Sequence, residues 1–368
     1  MAQVLDRFGD AYTRRYGWTP EQAKVAGCIR ACRTPKLGGY ALRCGHCGSS
    51  HTHFCSCRNR HCPRCQYQAT RQWRDQQQQA LLPVAYFHLV FTLPHELNGW
   101  VRLHPEVVYR CLFQSVWQTL KAFGEDPKRL HGQLGVTAVL HTWGQQLDQH
   151  VHLHCIVPAG AWSAEKQAWH PANSHYLFPV KALSRCYRGK MVSALREAWE
   201  TGALHRVSSA GEVSQRLQRV MQTEWVVYTK ACHDAGDVLD YLSAYTHKVA
   251  LSESRILAAD QENVHLRWKD YRDARQKTMT LSGVEFLRRF FQHILPKGFM
   301  RIRHFGFLSN RWRRQRLEEI REAFQVPQEN SRGQQAPCRV DQIWVCQDCK
   351  VRAVRRVAWL RPAFVQRE

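Results

Sequence analysis

Three histidines at alternating positions place the strongest constraint on how this chain can fold. His150, His152 and His154 alternate with Val151 and Leu153, and alternate residues of a β-strand point to the same face of a sheet. A strand over these residues therefore has one imidazole face and one aliphatic face. We expect the aliphatic face to be buried and the histidines to be available as metal ligands.

A preceding segment supplies a partner for this strand. Residues 134–143 are mostly aliphatic or β-branched and include His141, and residues 144–149 form a polar connection of hairpin length. If the hairpin places His141 opposite His152, the two side chains share a face about 5 Å apart. A slip of one residue would turn His141 to the other face. The first register predicts a site of three histidines, completed by His154.

The charge of the chain favours a polyanion as partner. The 368 residues include 53 Lys and Arg against 30 Asp and Glu, a formal net charge of +23, which makes nucleic acid the expected ligand. Charges run through residues 1–20, so no signal peptide is predicted, and no apolar run approaches the roughly 20 residues of a membrane helix. We expect a cytoplasmic bacterial protein associated with the nucleoid, without membrane contact, whose cysteines are thiols or metal ligands.

Eight of the 15 cysteines fall between Cys28 and Cys65, which indicates a small module stabilised by metal. Two C-x2-C pairs separated by 14 residues match a zinc ribbon. The predicted ligands of this structural zinc are Cys44, Cys47, Cys62 and Cys65. The remaining residues, spaced i, i+4, predict a second zinc site, with Cys28 alternatively a buried apolar residue. They are Cys28, Cys32, Cys57 and His61.

Arginines lie among these cysteines and again near the end of the chain. With nearby aromatic residues such as Tyr67 and Trp73 they suit phosphate contacts and base stacking in single-stranded DNA, although a solvated charged face is the alternative. The predicted DNA-contacting residues are Arg58, Arg60, Arg64, Arg301, Arg303, Arg313 and Arg314. Farther on, Cys346 and Cys349 form another knuckle that offers, with Cys338, three thiols and no evident fourth.

The middle of the chain alternates between strand-like and helix-like patterns, which predicts an α+β domain with an antiparallel sheet. Strands are predicted at residues 86–93, 225–229, 264–268 and 277–280. Helices are predicted at residues 106–123, 182–200, 238–246 and 284–294.

The predicted helix after Asp237 carries Tyr241 and Tyr245, whose i, i+4 spacing puts both phenols on one face about 6 Å apart. Such a pair is usually packing. Beside a histidine metal site in a basic protein, a phenol can instead serve as the nucleophile of metal-assisted DNA strand transfer.

Taken together, these motifs resemble the HUH-type rolling-circle transposases of the insertion sequence 91 kind. The resemblance rests on residues 57–65, 140–145, 152–155, 241–249 and 295–304. It implies an HUH nuclease core with a central antiparallel sheet flanked by helices, preceded by a small Cys-rich zinc domain. The expected boundaries are 1–80 for the zinc domain, 81–310 for the core and 311–368 for a basic, Cys-containing tail.

The same resemblance implies His152 and His154 as ligands of a catalytic divalent ion, with Tyr241 and Tyr245 as the tyrosine pair. Tyr245 is the preferred first nucleophile, because the residues that follow it match the family. His141 is the preferred third ligand on hairpin geometry. Relatives also use amide or carboxylate ligands, which leaves Gln146, Gln149 and His150 open. Histidines alone suit zinc or manganese, whereas phosphoryl chemistry favours Mg²⁺ or Mn²⁺ as the working hypothesis.

The expected function is that of a transposase that nicks and rejoins single-stranded or hairpin DNA at transposon ends through a 5′-phosphotyrosine intermediate. Two alternatives remain open at this stage. One is a plasmid-type replication initiator or relaxase with the same chemistry, and the other is a non-catalytic, zinc-dependent DNA-binding protein.

Overall fold

The computed structural model describes residues 1–65, 78, 81–173, 175–207, 209–232, 238, 250–325 and 345–363. Within these residues the helices are α1 (Ala2–Tyr16), α2 (Pro20–Ala31), α3 (Asn98–Leu103), α4 (Pro105–Glu125), α5 (Val180–Glu200), α6 (Ala210–Gln222), α7 (Gly283–Phe291) and α8 (Arg313–Ala323). The strands are β1 (Gly39–Cys44), β2 (Ser50–Phe54), β3 (Tyr86–Thr92), β4 (Gly135–Trp143), β5 (Gln149–Pro158), β6 (Gly160–Ser163), β7 (Ala168–Pro171), β8 (Val227–Cys232), β9 (Ile256–Ala259), β10 (Asn263–Lys269), β11 (Gln276–Ser282), β12 (Ile302–Gly306) and β13 (Val354–Leu360).

A five-stranded sheet in the order β12-β4-β5-β3-β8 forms the centre of the fold, and all of its pairings are antiparallel. Helices α4 and α5 pack on one face of this sheet and bury its aliphatic side chains. That core includes Leu89, Phe91, Leu140, Val151 and Leu153 from the strands and Leu112, Val116 and Leu195 from the helices. Each fully buried residue of this size contributes roughly 1.5–3 kcal/mol. The predicted α+β architecture with a central antiparallel sheet is confirmed.

Most of the predicted elements are present with bounds shifted by a few residues. The strand predicted at 86–93 is β3, the helix predicted at 106–123 is α4, and the helix predicted at 182–200 is α5. The later strands correspond to β8, β10 and β11, and the last helix to α7. The helix predicted at 238–246, apart from Val238, lies outside the described residues.

Two helices not predicted above, α1 and α2, form a second core with the small sheet β11-β10-β9 and with α7. Helix α2 begins at a capping box in which the Thr19 side chain accepts from the Gln22 backbone N–H and the Gln22 side chain accepts from that of Thr19. The Phe8 ring packs so closely on the start of α7 that a Cβ at Gly283 would lie within 2.4 Å of it. The amino-terminal helices are thereby fixed to the part of the chain that follows residue 250.

The third sheet, β13-β1-β2, joins the two ends of the described chain. Strand β13 pairs antiparallel with β1, from Gly39 opposite Leu360 to Cys44 opposite Val354. Residues assigned above to the zinc domain and to the tail therefore share one sheet, whereas the boundaries at residues 80 and 310 stay a prediction. None of the described helices has the length and apolar character needed to cross a membrane.

Candidate active site and metal centres

The histidine hairpin forms in the predicted register. Strands β4 and β5 place His141 directly opposite His152, with a bulge between His141 and Trp143. The alternation of the sequence sends Val151 and Leu153 to the helix-covered face, so the histidines lie on the opposite face. The hairpin prediction is confirmed.

Three imidazoles converge on this face. One nitrogen from each of His141, His152 and His154 lies within 4.8 Å of the other two, and the Nε2 atoms of His152 and His154 are 3.0 Å apart. The three side chains are only 3%, 9% and 8% exposed, respectively. Three nearly buried imidazoles whose nitrogens face one another could hold a metal ion.

The protonation of these rings suits metal binding. Burial, with a smaller contribution from the neighbouring His150, lowers the pKa of His152 to about 4. The ring is therefore neutral near pH 7. Its Nδ1 lies 2.9 Å from the backbone oxygen of His150, so Nδ1 carries the proton and donates it there. The lone pair of Nε2 is left facing the centre of the cluster.

A fourth histidine, which the sequence did not single out, supports the site from β3. The Nε2 atom of His88 lies 2.9 Å from Nδ1 of His154, and the two rings are stacked with an interplanar angle of 17°. Burial lowers the pKa of His88 to about 3, so a neutral His88 can accept the Nδ1 proton of His154. A polar ring inside the otherwise apolar run of residues 86–91 was the available signal.

The three alternative third ligands, Gln146, Gln149 and His150, lie outside this group of imidazoles. Gln149 points to the far side of β5, where its side-chain oxygen accepts from Arg102 at 2.8 Å. Gln146 and His150 are exposed at the rim of the cleft described below. The structure brings His141, rather than any of these three, into the group with His152 and His154.

The loop between β4 and β5 is held by the end of α7. His293 bridges it, with Nδ1 3.2 Å from the Thr142 hydroxyl and Nε2 3.2 Å from the Leu147 carbonyl oxygen. Arg289 donates to the Gln146 carbonyl at 3.0 Å. At Gly144 any Cβ would lie 2.3 Å from the Asp148 carboxylate. These contacts fix the turn that sets the hairpin register.

The histidines form part of the wall of an open cleft of about 1000 Å³, called the histidine cleft here. Its other wall comes from Arg255, the end of β10 and the loop that follows, and it is rich in aromatic and basic side chains. These are Arg255, Trp268, Lys269, Tyr271 and Arg272, and the lining also includes Asp148 and Asp270, the second paired with Arg272. The prediction above missed these residues, although two aromatic and two basic side chains within 268–272 were a usable signal.

Arg255 ties the two walls of the histidine cleft together. Its guanidinium donates to the Ala250 carbonyl at 3.2 Å, to the Arg267 carbonyl at 2.9 Å and to the Gln145 carbonyl in the hairpin loop. Burial lowers the pKa of Arg255 from its ordinary value. Arg255 therefore connects the hairpin loop, β10 and Ala250, the first described residue after Val238.

The structure groups the cysteines differently from the prediction. The first cluster is Cys32, Cys57, Cys62 and Cys65. The second, called the terminal cluster here, is Cys44, Cys47, Cys346 and Cys349. The predicted set of Cys44, Cys47, Cys62 and Cys65 is not brought together. The reason is the β1–β2 hairpin, whose turn carries Cys44 and Cys47 while Cys57 follows its other end. Five residues of strand separate the two ends by about 17 Å.

Of the residues predicted for a second zinc, Cys32 and Cys57 join the first cluster, whereas Cys28 and His61 do not. Cys28 lies on α2, one turn before Cys32. The His61 Nε2 accepts from the Leu295 backbone N–H at 3.4 Å, and burial together with Arg60 and Arg301 lowers its pKa to about 3. The i, i+4 spacing was therefore misleading for half of this set.

Within the first cluster the sulfur atoms are spaced as metal ligands. Sγ of Cys65 lies 3.5 Å from Sγ of Cys32 and 3.6 Å from Sγ of Cys57. A disulfide would need about 2.05 Å, whereas four sulfurs 2.3 Å from one zinc ion are about 3.8 Å apart. Contact with the Cys57 thiol lowers the pKa of Cys62 to about 5, so a thiolate is available at neutral pH.

Comparison with known proteins identifies the chain. A family model described as "Transposase zinc-binding domain", of the IS91 type, matches residues 4–93, and one described as "Putative transposase" matches residues 135–316. The "Putative transposase y4qJ" of Sinorhizobium fredii (strain NBRC 101917 / NGR234) is 40% identical over 331 residues, which cover 88% of this chain and 83% of the relative. The chain belongs to the insertion sequence 91 family of transposases.

Two further similarities accompany this result. The transposase for insertion sequence element IS801 of Pseudomonas savastanoi pv. phaseolicola is 28% identical over 311 residues, which cover 80% of this chain and 72% of the relative. The solved structure of the conjugative relaxase TrwC with a mutant oriT DNA aligns with 43% of this chain and 71% of its own, at 9% identity and a TM-score of 0.26.

Tyr241 and Tyr245 of the transposase lie outside the described residues. The described positions on either side of them can be located. Val238 is fully buried against Tyr86, Ile156 and Cys232. Ile156 alternates with His152 and His154 on β5, so Val238 contacts the histidine face of the sheet. On the other side, Ala250 lines the histidine cleft.

The seven predicted DNA-contacting arginines of the transposase have different surroundings. Arg58, Arg64 and Arg314 are exposed, the second paired with Glu253 and the third with Glu318. Arg60 donates to the carbonyls of Pro296 and Phe299, and the nearly buried Arg301 has its pKa lowered to about 10 by burial and by Arg60. Arg303 lies over the Phe113 ring at 4.3 Å, and Arg313 is half-buried. Arg60 therefore holds the backbone of residues 296–299, and Arg301 is buried instead of facing solvent.

Proposed function

We propose that this transposase nicks and rejoins single-stranded DNA at the ends of its element through a covalent 5′-phosphotyrosine intermediate, as rolling-circle transposition requires. One observation carries the proposal. Three converging, nearly buried histidines lie in a cleft whose other wall is basic and aromatic. A DNA substrate places the site of action at the bacterial nucleoid.

The three histidines fit a catalytic divalent ion. The Nε2 atoms of His152 and His154 are 3.0 Å apart, and the ligand atoms of all three histidines lie within 4.8 Å of one another, close enough to share one ion. Phosphoryl chemistry makes Mg²⁺ or Mn²⁺ the proposed ion. When bound, such an ion would polarise the scissile phosphate and offset its charge.

We assign the nucleophile to the tyrosine pair, Tyr241 and Tyr245. The phenol oxygen attacks phosphorus, the bond from phosphorus to the 3′ oxygen breaks, and the phenolic proton passes to water while the leaving oxygen becomes a 3′ hydroxyl. Attack of a 3′ hydroxyl on the phosphotyrosine reverses the step on another strand, so the bond energy is conserved and no nucleotide cofactor is needed. Two tyrosines permit a second cleavage before the first linkage is resolved.

Chain connectivity supports this assignment. Tyr241 is three residues from Val238 and Tyr245 is five from Ala250, which allow at most about 11 Å and about 18 Å, respectively. Val238 and Ala250 both lie at the histidine face. The described residues that flank the tyrosine pair therefore lie on the histidine side of the sheet, and this is the structural ground for the assignment.

The histidine cleft is proposed as the binding site for the single strand. Tyr271 is 70% exposed and, with Trp268, offers a ring on which an unpaired base can stack. Lys269 supplies positive charge for the phosphates, and Arg272 presents an exposed guanidinium that is also paired with Asp270. A duplex conceals its bases, so this combination favours single strands or the loops of hairpins.

In the zinc-binding domain of the transposase, we propose that the first cluster holds a structural zinc ion. Its four thiols satisfy a closed tetrahedral site. The ion would join the end of α2 to the turn at residues 62–65, from which Arg64 bonds Glu253 beyond the histidine cleft.

A nicking assay tests the proposal. Wild-type protein, a labelled single-stranded oligonucleotide that contains an element end, and Mn²⁺ should yield a protein–DNA band that resists denaturant. The double variant Tyr241→Phe with Tyr245→Phe, and separately His152→Ala, should yield none, whereas Tyr176→Phe, an exposed tyrosine outside the central sheet, should retain the band. A band undiminished in the double variant would place the nucleophile elsewhere. A non-catalytic DNA-binding protein would form no band in any arm.

A further inference from the structure

The terminal cluster combines thiols from inside and outside the family matches. Cys44 and Cys47 lie within the zinc-domain match, which ends at residue 93, whereas Cys346 and Cys349 follow the transposase match as well. They meet Cys44 and Cys47 across roughly 300 residues of chain, with separations in sequence of 299 and 305 residues for the two closest pairs.

The sulfur spacing discriminates between a disulfide pair and a metal site. Sγ of Cys44 lies 3.7 Å from Sγ of Cys349, and Sγ of Cys47 lies 3.7 Å from Sγ of Cys346. Both distances exceed a disulfide bond by more than 1 Å. Both agree with the separation of about 3.8 Å expected for thiolates around one tetrahedral zinc ion.

The backbone on each side forms the same turn. The Gly48 N–H donates to the Cys44 carbonyl at 3.0 Å, and the Lys350 N–H donates to the Cys346 carbonyl at 3.1 Å. The residue after each knuckle has a positive φ, 74° at Gly48 and 59° at Lys350. The turns at residues 44–48 and 346–350 lie far apart in the sequence but have the same backbone hydrogen bond and a positive φ after the second cysteine.

The surrounding sheet holds the two knuckles together. Strand β13 pairs with β1 up to Cys44, and the Gly45 N–H donates to the Ala353 carbonyl at 2.8 Å. Cys44 and Cys346 are buried with Leu42 and Val354 in a small core of their own. Four buried residues hardly stabilise a three-stranded sheet by apolar burial alone, and a bound metal ion is a common source of the missing stability in modules of this size.

A histidine near the terminal cluster adds support around the thiols. The Nε2 atom of His51 lies 3.7 Å from Sγ of Cys346 and 3.4 Å from the Asp348 carboxylate. It can therefore donate to a thiolate while the carboxylate lies beside the same ring. A hydrogen bond of this kind orients a metal-binding thiolate and reduces its negative charge.

We propose that the terminal cluster binds a second structural zinc ion, which clasps the carboxy-terminal segment, residues 345–363, onto the β1–β2 hairpin of the zinc domain. The chain is then closed into a loop that begins and ends at one metal site. Loss of this ion releases β13 and leaves the central sheet and its histidines in place.

Zinc stoichiometry tests the clasp independently of DNA cleavage. Purified full-length wild type should contain two zinc ions per chain by metal analysis. The variant Cys346→Ser with Cys349→Ser should contain one. The matched control is Cys28→Ser with Cys55→Ser, two cysteines of the same module that belong to neither cluster, and it should keep two. One ion in wild type, or two in the Cys346/Cys349 variant, overturns the proposal.

Hydrogen exchange provides the second readout and guards against a variant that fails to fold. In the Cys346/Cys349 variant, amides of β13 should lose most of their protection while those of β4 and β5 retain theirs. If the variant unfolds throughout, stepwise removal of zinc from wild type by a chelator replaces it: β13 should lose protection with the loss of one of the two ions, before β4 and β5. Protection of β13 that is unchanged by the loss of either ion contradicts the clasp.

Discussion

The contact between His88 and His154 gives a prediction whose size can be worked out from the structure. Replacing His88 by leucine keeps a similar volume at a position that is only 1% exposed and removes the acceptor that lies 2.9 Å from Nδ1 of His154. Without a metal ion, His154 in the variant can move its proton from Nδ1 to Nε2, so no donor is left unsatisfied at Nδ1. With an ion bound at Nε2, the proton must stay on Nδ1, where the His88 acceptor is missing.

The cost therefore falls on the metal-bound form. Leaving a buried donor unsatisfied costs about 1–3 kcal/mol, and each 1.4 kcal/mol is tenfold in affinity. We expect Mn²⁺ to bind about 5- to 150-fold more weakly to His88→Leu, in line with the roughly 10- to 100-fold effects of outer-shell partners at other metal sites.

Calorimetric titration with Mn²⁺ measures this effect. The variant His88→Gln, whose amide oxygen can reach the position of Nε2, should recover most of the affinity. The matched control is His304→Leu, because His304 is also a histidine of the central sheet, partly buried, but bonds the Thr137 hydroxyl at 3.0 Å and does not belong to the cluster. If His88→Leu binds Mn²⁺ as wild type does, or if His304→Leu weakens binding equally, the orienting role of His88 is refuted.

Three further predictions concern the cleft, the pH dependence and the core. Tyr271→Ala should weaken binding of a single-stranded oligonucleotide by about 1–3 kcal/mol, measured by fluorescence anisotropy, because one stacking ring is lost; unchanged binding would remove the ring from the DNA site. Burial lowers the pKa values of His293 and His304 to about 4, against about 6.5 when unfolded. Above pH 6.5 both histidines are neutral in the folded and in the unfolded chain. Between pH 6.5 and pH 4 they are protonated in the unfolded chain only, which favours unfolding. The free energy of unfolding should therefore fall by roughly 2 kcal/mol per histidine between pH 7 and pH 5. In urea titrations His304→Gln should lose about 2 kcal/mol less than wild type over this interval, and an equal loss would contradict the assignment. Leu153→Ala, at a fully buried core position, should lower the free energy of unfolding by about 2–5 kcal/mol at pH 7, and a loss under 1 kcal/mol in the same assay would show that the core tolerates the cavity.

The fold and the histidine site could be predicted because local patterns determine them. Alternation in β5 fixes which side chains face the helices, and a one-residue slip of the strand would turn its three histidines toward the apolar core. The sequence therefore favoured the pairing of His141 with His152, which the structure has. The support from His88 could not be derived in the same way, since the order of β3 beside β5 is a property of the sheet topology.

The cysteine grouping could not be predicted from spacing. Any two C-x2-C knuckles satisfy the same local pattern, and the partner of Cys44 and Cys47 is decided by the pairing of β1 with β13 across most of the chain. Charge is equally ambiguous. Arg60 and Arg58 are alike in sequence context, yet Arg60 is partly buried and bonds the Pro296 and Phe299 carbonyls, whereas Arg58 is exposed.

The central claim is that a histidine-bound ion and a phenol act on the same phosphorus atom. Mass spectrometry of the covalent protein–DNA product tests it most directly, because trypsin releases Tyr241 and Tyr245 together in one peptide, residues 231–248. We predict a nucleotide adduct on one of these two tyrosines that forms with Mn²⁺ in wild type and is absent both with chelator and in His154→Ala. An adduct on any other residue, or one that forms equally without the divalent ion, would contradict the account.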